Sequence, residues 1–162
     1  MKNNYRLLLI IGIILIIVAG YIGVKYYNSE DVVFNRYLNK ITSVSRSDIQ
    51  ASDVHIAKNG YITKSYFDEN KSYLVLDLLS EIGSLNQLAD VNNVNNYSTS
   101  IKNVFETSKA IYEIRIDVDE SNYGFRINEL TIDLDSGDKI AVDKYYDSNE
   151  RSVETLSELL SF

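Results

Sequence analysis

The chain has 162 residues, with 23 acidic side chains against 16 basic ones, a formal charge of −7, one histidine, and no cysteine, proline or tryptophan. The acid excess is repelled by phosphate backbones, which argues against nucleic acid as a partner. The lack of Cys excludes a disulfide framework, a lipoprotein anchor and a thiolate metal site, and the lack of Pro excludes a proline-containing wall-sorting signal.

Residues 1–6 read as a short cytoplasmic tail. Leu7 to Val24 (LLLIIGIILIIVAGYIGV) carries no charge. As a helix it would be roughly 27 Å long, near the thickness of a bilayer core. Tyr5, Tyr21, Tyr26 and Tyr27 flank it, where amphipathic rings favour the interface. Lys2 and Arg6 precede the run, while Lys25 is soon followed by Glu30 and Asp31. That bias predicts a signal anchor over 7–25 with the N-terminus cytoplasmic and the rest extracytoplasmic. Val18-Ala19-Gly20 is a poor cleavage site, and the run exceeds the 7–15 residues of a signal-peptide core. Ala19 and Gly23 form a small-xxx-small pair through which two such helices could meet as a homodimer.

Residues 26–47 are expected to form a membrane-proximal helix and linker, and 48–162 an extracytoplasmic α+β domain. Asn28 is the expected cap of the first helix, with Glu30 and Asp31 in its first turn. Val33, Tyr37, Ile41 and Val44, with Phe34 and Leu38 beside them, make its apolar side. Ser45 to Ser52 reads as a loop. Val54 to Tyr66 reads as a hairpin around Asn59-Gly60. A two-residue loop would pair Ile56 with Thr63. A three-residue loop ending on Gly60 pairs Ile56 with Ile62, and this is the expected register.

Asp68 to Leu88 is predicted as a helix on Leu74, Leu78, Ile82 and Leu85, capped by Asp68 or Asn70 and weakened at Gly83, with a buried strand over Tyr73 to Leu79 as the alternative. The Asn-rich stretch 90–100 reads as a loop, and Ile101, Val104, Phe105 and Ser108 fit a short helix over 101–109. Tyr112, Ile114, Ile116 and Val118 alternate with polar residues as in a half-buried strand. Glu120 to Gly124 is a turn. Phe125 and Ile127 then fall out of phase with Leu130, Ile132 and Leu134, which implies a β-bulge or a break at Asn128-Glu129. Asp135 to Asp138 is a turn, Lys139 to Tyr146 the last strand, and Ser152 to Leu160 a closing helix capped by Ser148 or Ser152. The expected fold is thus an N-terminal transmembrane helix and an antiparallel sheet, hairpin plus three-strand meander, packed by helices.

No catalytic set assembles along the sequence. His55 is alone, so neither a His-based triad nor a His-rich metal site is expected. Asp117, Asp119 and Ser121 mimic the start of a calcium loop, and Asp133, Asp135 and Asp138 form a second acidic cluster. Neither stretch has the Gly and Glu that a calcium loop requires. Ser136 and Lys139 have serine–lysine spacing but span a hairpin tip. Paired carboxylates for sugar cleavage lack the Trp platform common at such sites. The many Tyr residues, among them the doublets Tyr26-Tyr27 and Tyr145-Tyr146, match an AT-rich codon bias and ordinary sheet propensity.

The run YEIRIDV, followed by TIDLDSGDKIAV, resembles the strand–turn–strand end of PepSY-type extracytoplasmic domains over residues 112–142. The resemblance implies a small non-catalytic module. With the anchor and the low-GC, Gram-positive bias, the expected function is a membrane-anchored, non-enzymatic binding or regulatory module with a protein partner at the cell surface and no cofactor. The alternatives are a structural subunit of a secretion, conjugation or division complex, and a cell-wall hydrolase.

Overall fold

The computed structural model describes residues 2–85, 87, 88, 97–132 and 139–161, without the side chains of 2–10 and 139. The chain divides into two units, residues 1–36 and 37–162. Among the described residues it is α+β, with four α-helices and a seven-stranded antiparallel sheet.

In the first unit, α1 (Lys2–Tyr27) is one continuous helix. Its large apolar side chains from Ile11 to Val24 stand exposed, Ile16 by 73%. Among the described residues, no single helix is long and apolar enough to cross a membrane; Ile11–Tyr27 and Glu30–Thr42 reach that length and apolarity only as a pair. α2 (Glu30–Thr42) starts two residues after Asn28, the expected cap. The break is held within this unit by Arg36, which donates from Nη2 to the Tyr27 carbonyl at 3.1 Å and lies 4.0 Å over the Tyr27 ring.

In the second unit the sheet order is β2-β1-β4-β5-β6-β7-β3, with β1 Ile49–Lys58, β2 Tyr61–Tyr66, β3 Gln87–Leu88, β4 Thr99–Thr107, β5 Ile111–Val118, β6 Phe125–Ile132 and β7 Lys139–Tyr146. The hairpin and the meander are therefore one sheet, joined by pairing of β1 with β4. The stretch 101–109 is not a helix: 101–107 belong to β4. Thr99, Ile101, Asn103, Phe105 and Thr107 are buried at alternate positions, the period of a strand. β1 also begins within the expected loop, at Ile49, because Ile49 is buried and pairs with Thr107.

The hairpin register differs from the expected one. Lys58 pairs with Tyr61, so the loop is the two residues Asn59 and Gly60, at φ 51° and 83°. Both are left-handed, as a type I′ turn requires, and its twist matches that of the strands. A bulge then leaves Thr63 unmatched, so Ile56 faces Lys64 rather than Ile62 or Thr63. Of the bulge or break expected at Asn128-Glu129, the structure has the bulge: β6 is continuous and both of its ladders shift around Asn128.

α3 (Glu69–Ser80) is capped by Asp68, whose Oδ1 accepts from the Asn70 amide at 2.8 Å. It stops eight residues short of the predicted end. The chain tightens into a 3₁₀ turn over Glu81–Ser84, which contains Gly83, and then extends into β3. α4 (Glu150–Leu160) is capped by Asn149, not by Ser148 or Ser152; Asn149 and Ser152 form a reciprocal capping box. α3 packs on β1, β4 and α4. Val75, Leu76, Leu78, Leu79, Leu156 and Leu159 join Val54, Ile56, Ile101, Ile114, Ile116, Ile127 and Leu130 in the core. Phe105 stacks on Tyr112 and Phe125 on Tyr146, with centroids 4.7 and 5.5 Å apart. Residues 133–138, including the expected turn and the second acidic cluster, and most of the Asn-rich loop lie outside the described residues.

Candidate functional site

Side chains alternate across a strand, so the partners of the buried set form the sheet face away from α3. That face is a lattice of charges. His55 on β1 is opposite Lys102 on β4, Lys102 is opposite Arg115 on β5, and Arg115 is opposite Glu129 on β6. The like charges of Lys102 and Arg115 are reconciled by Glu113, which is 5% exposed. Glu113 accepts from Arg115 Nε at 2.5 Å and lies 3.3 Å from Lys102 Nζ. The hydrogen bond to Glu113 raises the pKa of Arg115 above its ordinary value.

A second charged group stands beside it. Arg126 Nη2 meets Asp117 at 2.6 Å, and Nη1 donates to the Tyr145 hydroxyl at 3.2 Å. Burial opposes the charge on Arg126, but the bonds to Tyr145 and Asp117 outweigh it and its pKa is raised. Tyr97 meets Tyr145 edge-on at 5.8 Å. Burial, then the Asp119 carboxylate, raises the Tyr97 pKa.

This geometry separates the calcium-like residues. Asp117 is turned to Arg126, whereas Asp119 Oδ1 accepts from the Ser121 amide and hydroxyl at 2.9 and 2.6 Å and shapes the turn. Among the described residues, no three His, Asp or Glu side chains converge as metal ligands.

The hairpin holds an arrangement not expected from the sequence. His55 Nε2 is 2.9 Å from Asp53 Oδ2, and Nδ1 is 2.7 Å from Ser65 Oγ. An Asp–His–Ser relay therefore does assemble around the single histidine. Asp53 and His55 are two apart on one strand and share a face, a signal present in the sequence. Ser65 joins them only because the bulge at Thr63 brings it opposite His55. Ser65 is exposed. A nucleophile also needs an activated site with donors aimed at the developing oxyanion; Ser65 instead sits on an edge strand in water.

The described cleft nearest this hairpin has a volume of about 240 Å³ and lies between β1, β2 and the end of α4. Ile56, Thr63, Tyr123 and Leu160 line it, with Lys58, Thr99 and Glu120 at its polar side. Glu120 accepts from Lys58 Nζ at 2.8 Å and from the Thr99 hydroxyl; these bonds hold its pKa below the usual carboxylate range. Ser65 is not among the lining residues, so the relay and the cleft are separate places.

No family model matches this chain, nor does any curated protein or solved structure.

Proposed function

We propose that this is a single-pass protein of the cell membrane of a low-GC, Gram-positive bacterium. α1 lies in the bilayer, the N-terminus is cytoplasmic, and the sheet domain is an extracytoplasmic, non-enzymatic binding or regulatory module. The observation that carries this reading is the uncovered apolar surface of α1. Ten large apolar side chains between Ile11 and Val24 stand exposed. At about 1.5–3 kcal/mol for each such side chain fully buried, leaving them in water costs of order 10 kcal/mol, so lipid or protein must cover them. The helix is apolar on all sides, as a lipid-embedded helix is. The tyrosines and Arg36 at its outer end suit the interface.

The test uses the absence of native cysteine. Full-length chains with Asn3→Cys or Glu154→Cys are treated in intact cells with a membrane-impermeant maleimide. Labelling at 154 without permeabilisation, and at 3 only after it, supports the reading. The reverse pattern, or recovery of the chain as freely dissolved cytosolic protein, ends it. Isolation in mild detergent as a fixed-stoichiometry complex would favour a subunit of a membrane-spanning machine instead.

The Asp53–His55–Ser65 relay favours a second reading, a serine hydrolase acting on wall material. Under the leading reading, a fluorophosphonate probe leaves Ser65 unlabelled. Labelling that disappears in His55→Ala would support the hydrolase.

A further inference from the structure

The cleft beside the hairpin is lined by a residue in a strained conformation. Tyr123 has φ 57°, the left-handed region that a bulky side chain rarely adopts. It is pinned there from both ends. Its amide donates to the Asp119 carbonyl at 2.7 Å, and its carbonyl accepts from the Ser148 hydroxyl. Glycine would hold this turn with less strain. The Tyr123 side chain is half-buried, yet among the described residues its ring stacks on no other ring and its hydroxyl makes no hydrogen bond. Strain of this kind gathers at ligand sites.

The polar side of the cleft says what kind of ligand fits. Glu120 is the one acid among the described lining residues. Lys58 Nζ donates to its Oε2 at 2.8 Å, and the Thr99 hydroxyl donates to its Oε1. An ionised carboxylate has about four lone-pair sites, so each oxygen keeps one open. Two open acceptors side by side match two adjacent O–H donors. A cation is disfavoured there by Lys58, which already stands against the same carboxylate, and an anion by Glu120 itself. The donor that fits is neutral. Ile56 and Leu160 give the cleft an apolar side as well.

We propose that this cleft binds a neutral pyranose through a vicinal diol. Two adjacent hydroxyls donate to Glu120 Oε1 and Oε2, and the C–H face of the ring rests on Tyr123, whose π face is electron-rich. The cleft, of about 240 Å³, is smaller than the sites of drug-sized ligands and suits one sugar ring. The proposal rests on the binding-module reading above and names the ligand class of that module. With Glu120 alone among the described lining residues, the site holds a sugar but lacks the second carboxylate that cleavage uses.

The test takes the full-length protein in nanodiscs and the methyl α-glycosides of glucose, galactose and mannose as probes, read by saturation-transfer NMR. Saturating the protein's aromatic protons should transfer to the ring C–H protons of at least one glycoside, and not to its permethylated form. Tyr123→Gly keeps the left-handed turn and Glu120→Gln keeps the side-chain shape, so far-UV circular dichroism should show both folded. Each should weaken binding about tenfold or more. Co-sedimentation with purified wall distinguishes the source of the sugar. Retention that is abolished by periodate, which cleaves vicinal diols, assigns the diol to a wall glycan; binding to the glycosides alone assigns it to a free sugar. No transfer to any glycoside, equal transfer to the permethylated form, or affinity unchanged in either folded variant overturns the proposal. If it is overturned while maleimide labelling still places residue 154 outside the cell, the binding-module reading stands without this ligand.

Discussion

Ser72 and Asn103 hold each other inside the core of the sheet domain. The Ser72 hydroxyl donates to Asn103 Oδ1 at 2.6 Å, and Asn103 Nδ2 returns a bond to the Ser72 carbonyl at 3.3 Å. Both residues are fully buried, and the strand partners of Asn103, Val54 and Ile114, are buried apolar residues. The pair fixes α3 on β4 at one position, because an unmatched polar group there has no water to turn to.

Removing one member is therefore expected to cost more than removing both. Asn103→Ala strips the Ser72 hydroxyl of its acceptor and should destabilise the domain by about 2–3 kcal/mol. Ser72→Ala should cost about 1–2 kcal/mol, and Ser72→Ala/Asn103→Val should recover part of the loss. Urea unfolding of the full chain in detergent, followed by far-UV circular dichroism, checks the cycle.

Glu113 makes a parallel case on the opposite face. Its two cationic partners are partly exposed, Lys102 by 41% and Arg115 by 49%, so each single contact is screened. Lys102→Met or Arg115→Met alone is expected to cost about 1 kcal/mol or less. The double variant leaves a nearly buried carboxylate unpaired and should cost about 2–4 kcal/mol, more than the sum of the singles. Adding Glu113→Gln to the double variant should restore stability. A failure to restore it would show that Glu113 is tolerated by some other contact.

The pH dependence of the Glu120 contact has a definite sign. The Lys58 and Thr99 bonds lower its folded pKa, so the contact stabilises above the ordinary carboxylate value, and the gain disappears as pH falls through the lower folded value. The carboxylate is 39% exposed, which limits the effect to a shift in Tm of no more than about 4 °C. Glu120→Gln should melt below the wild-type chain at pH 7 and converge with it at strongly acid pH. A difference that grows on acidification would contradict the assignment.

At the hairpin tip, Gly60 has φ 83° and no atom within 4 Å of where a Cβ would stand. The cost of Gly60→Ala is then backbone strain alone, about 1–2 kcal/mol. Asn59→Gly, at φ 51°, should be nearly neutral, since both residues accept the left-handed region. Thermal melts of the two variants separate turn strain from packing.

Elements whose polar and apolar residues keep one period were legible in sequence. β5 alternates cleanly from Tyr112 to Val118, and the phase break at Asn128 announced its bulge. β4 was hidden because Asn103 and Thr107 occupy core positions while Val104 faces outward, so its apolar residues also fit a helical spacing. The end of α3 was obscured by Ile82 and Leu85, which continue the helical period although the chain has already tightened and then extended. The Asp53–His55 contact follows from their spacing, but Ser65 does not: neither considered register places it opposite His55, because both lack the extra residue at Thr63.

The pairing of β1 with β4 also governs the order in which the chain can become ordered. Val54 must wait for Asn103, far along the polypeptide, before its inner edge is covered. β4, β5, β6 and β7 pair with one another in chain order, so they can zip locally and offer β1 a template. A nascent chain that stops before Thr99 has, of the strands, only the β1–β2 hairpin and the two-residue β3, so α3 lacks β4 to rest on; a lone hairpin and a short helix are marginal in water. The first strands of the sheet domain thus depend on its later ones for a partner, and a ribosome that stalls before β4 leaves β1 without one.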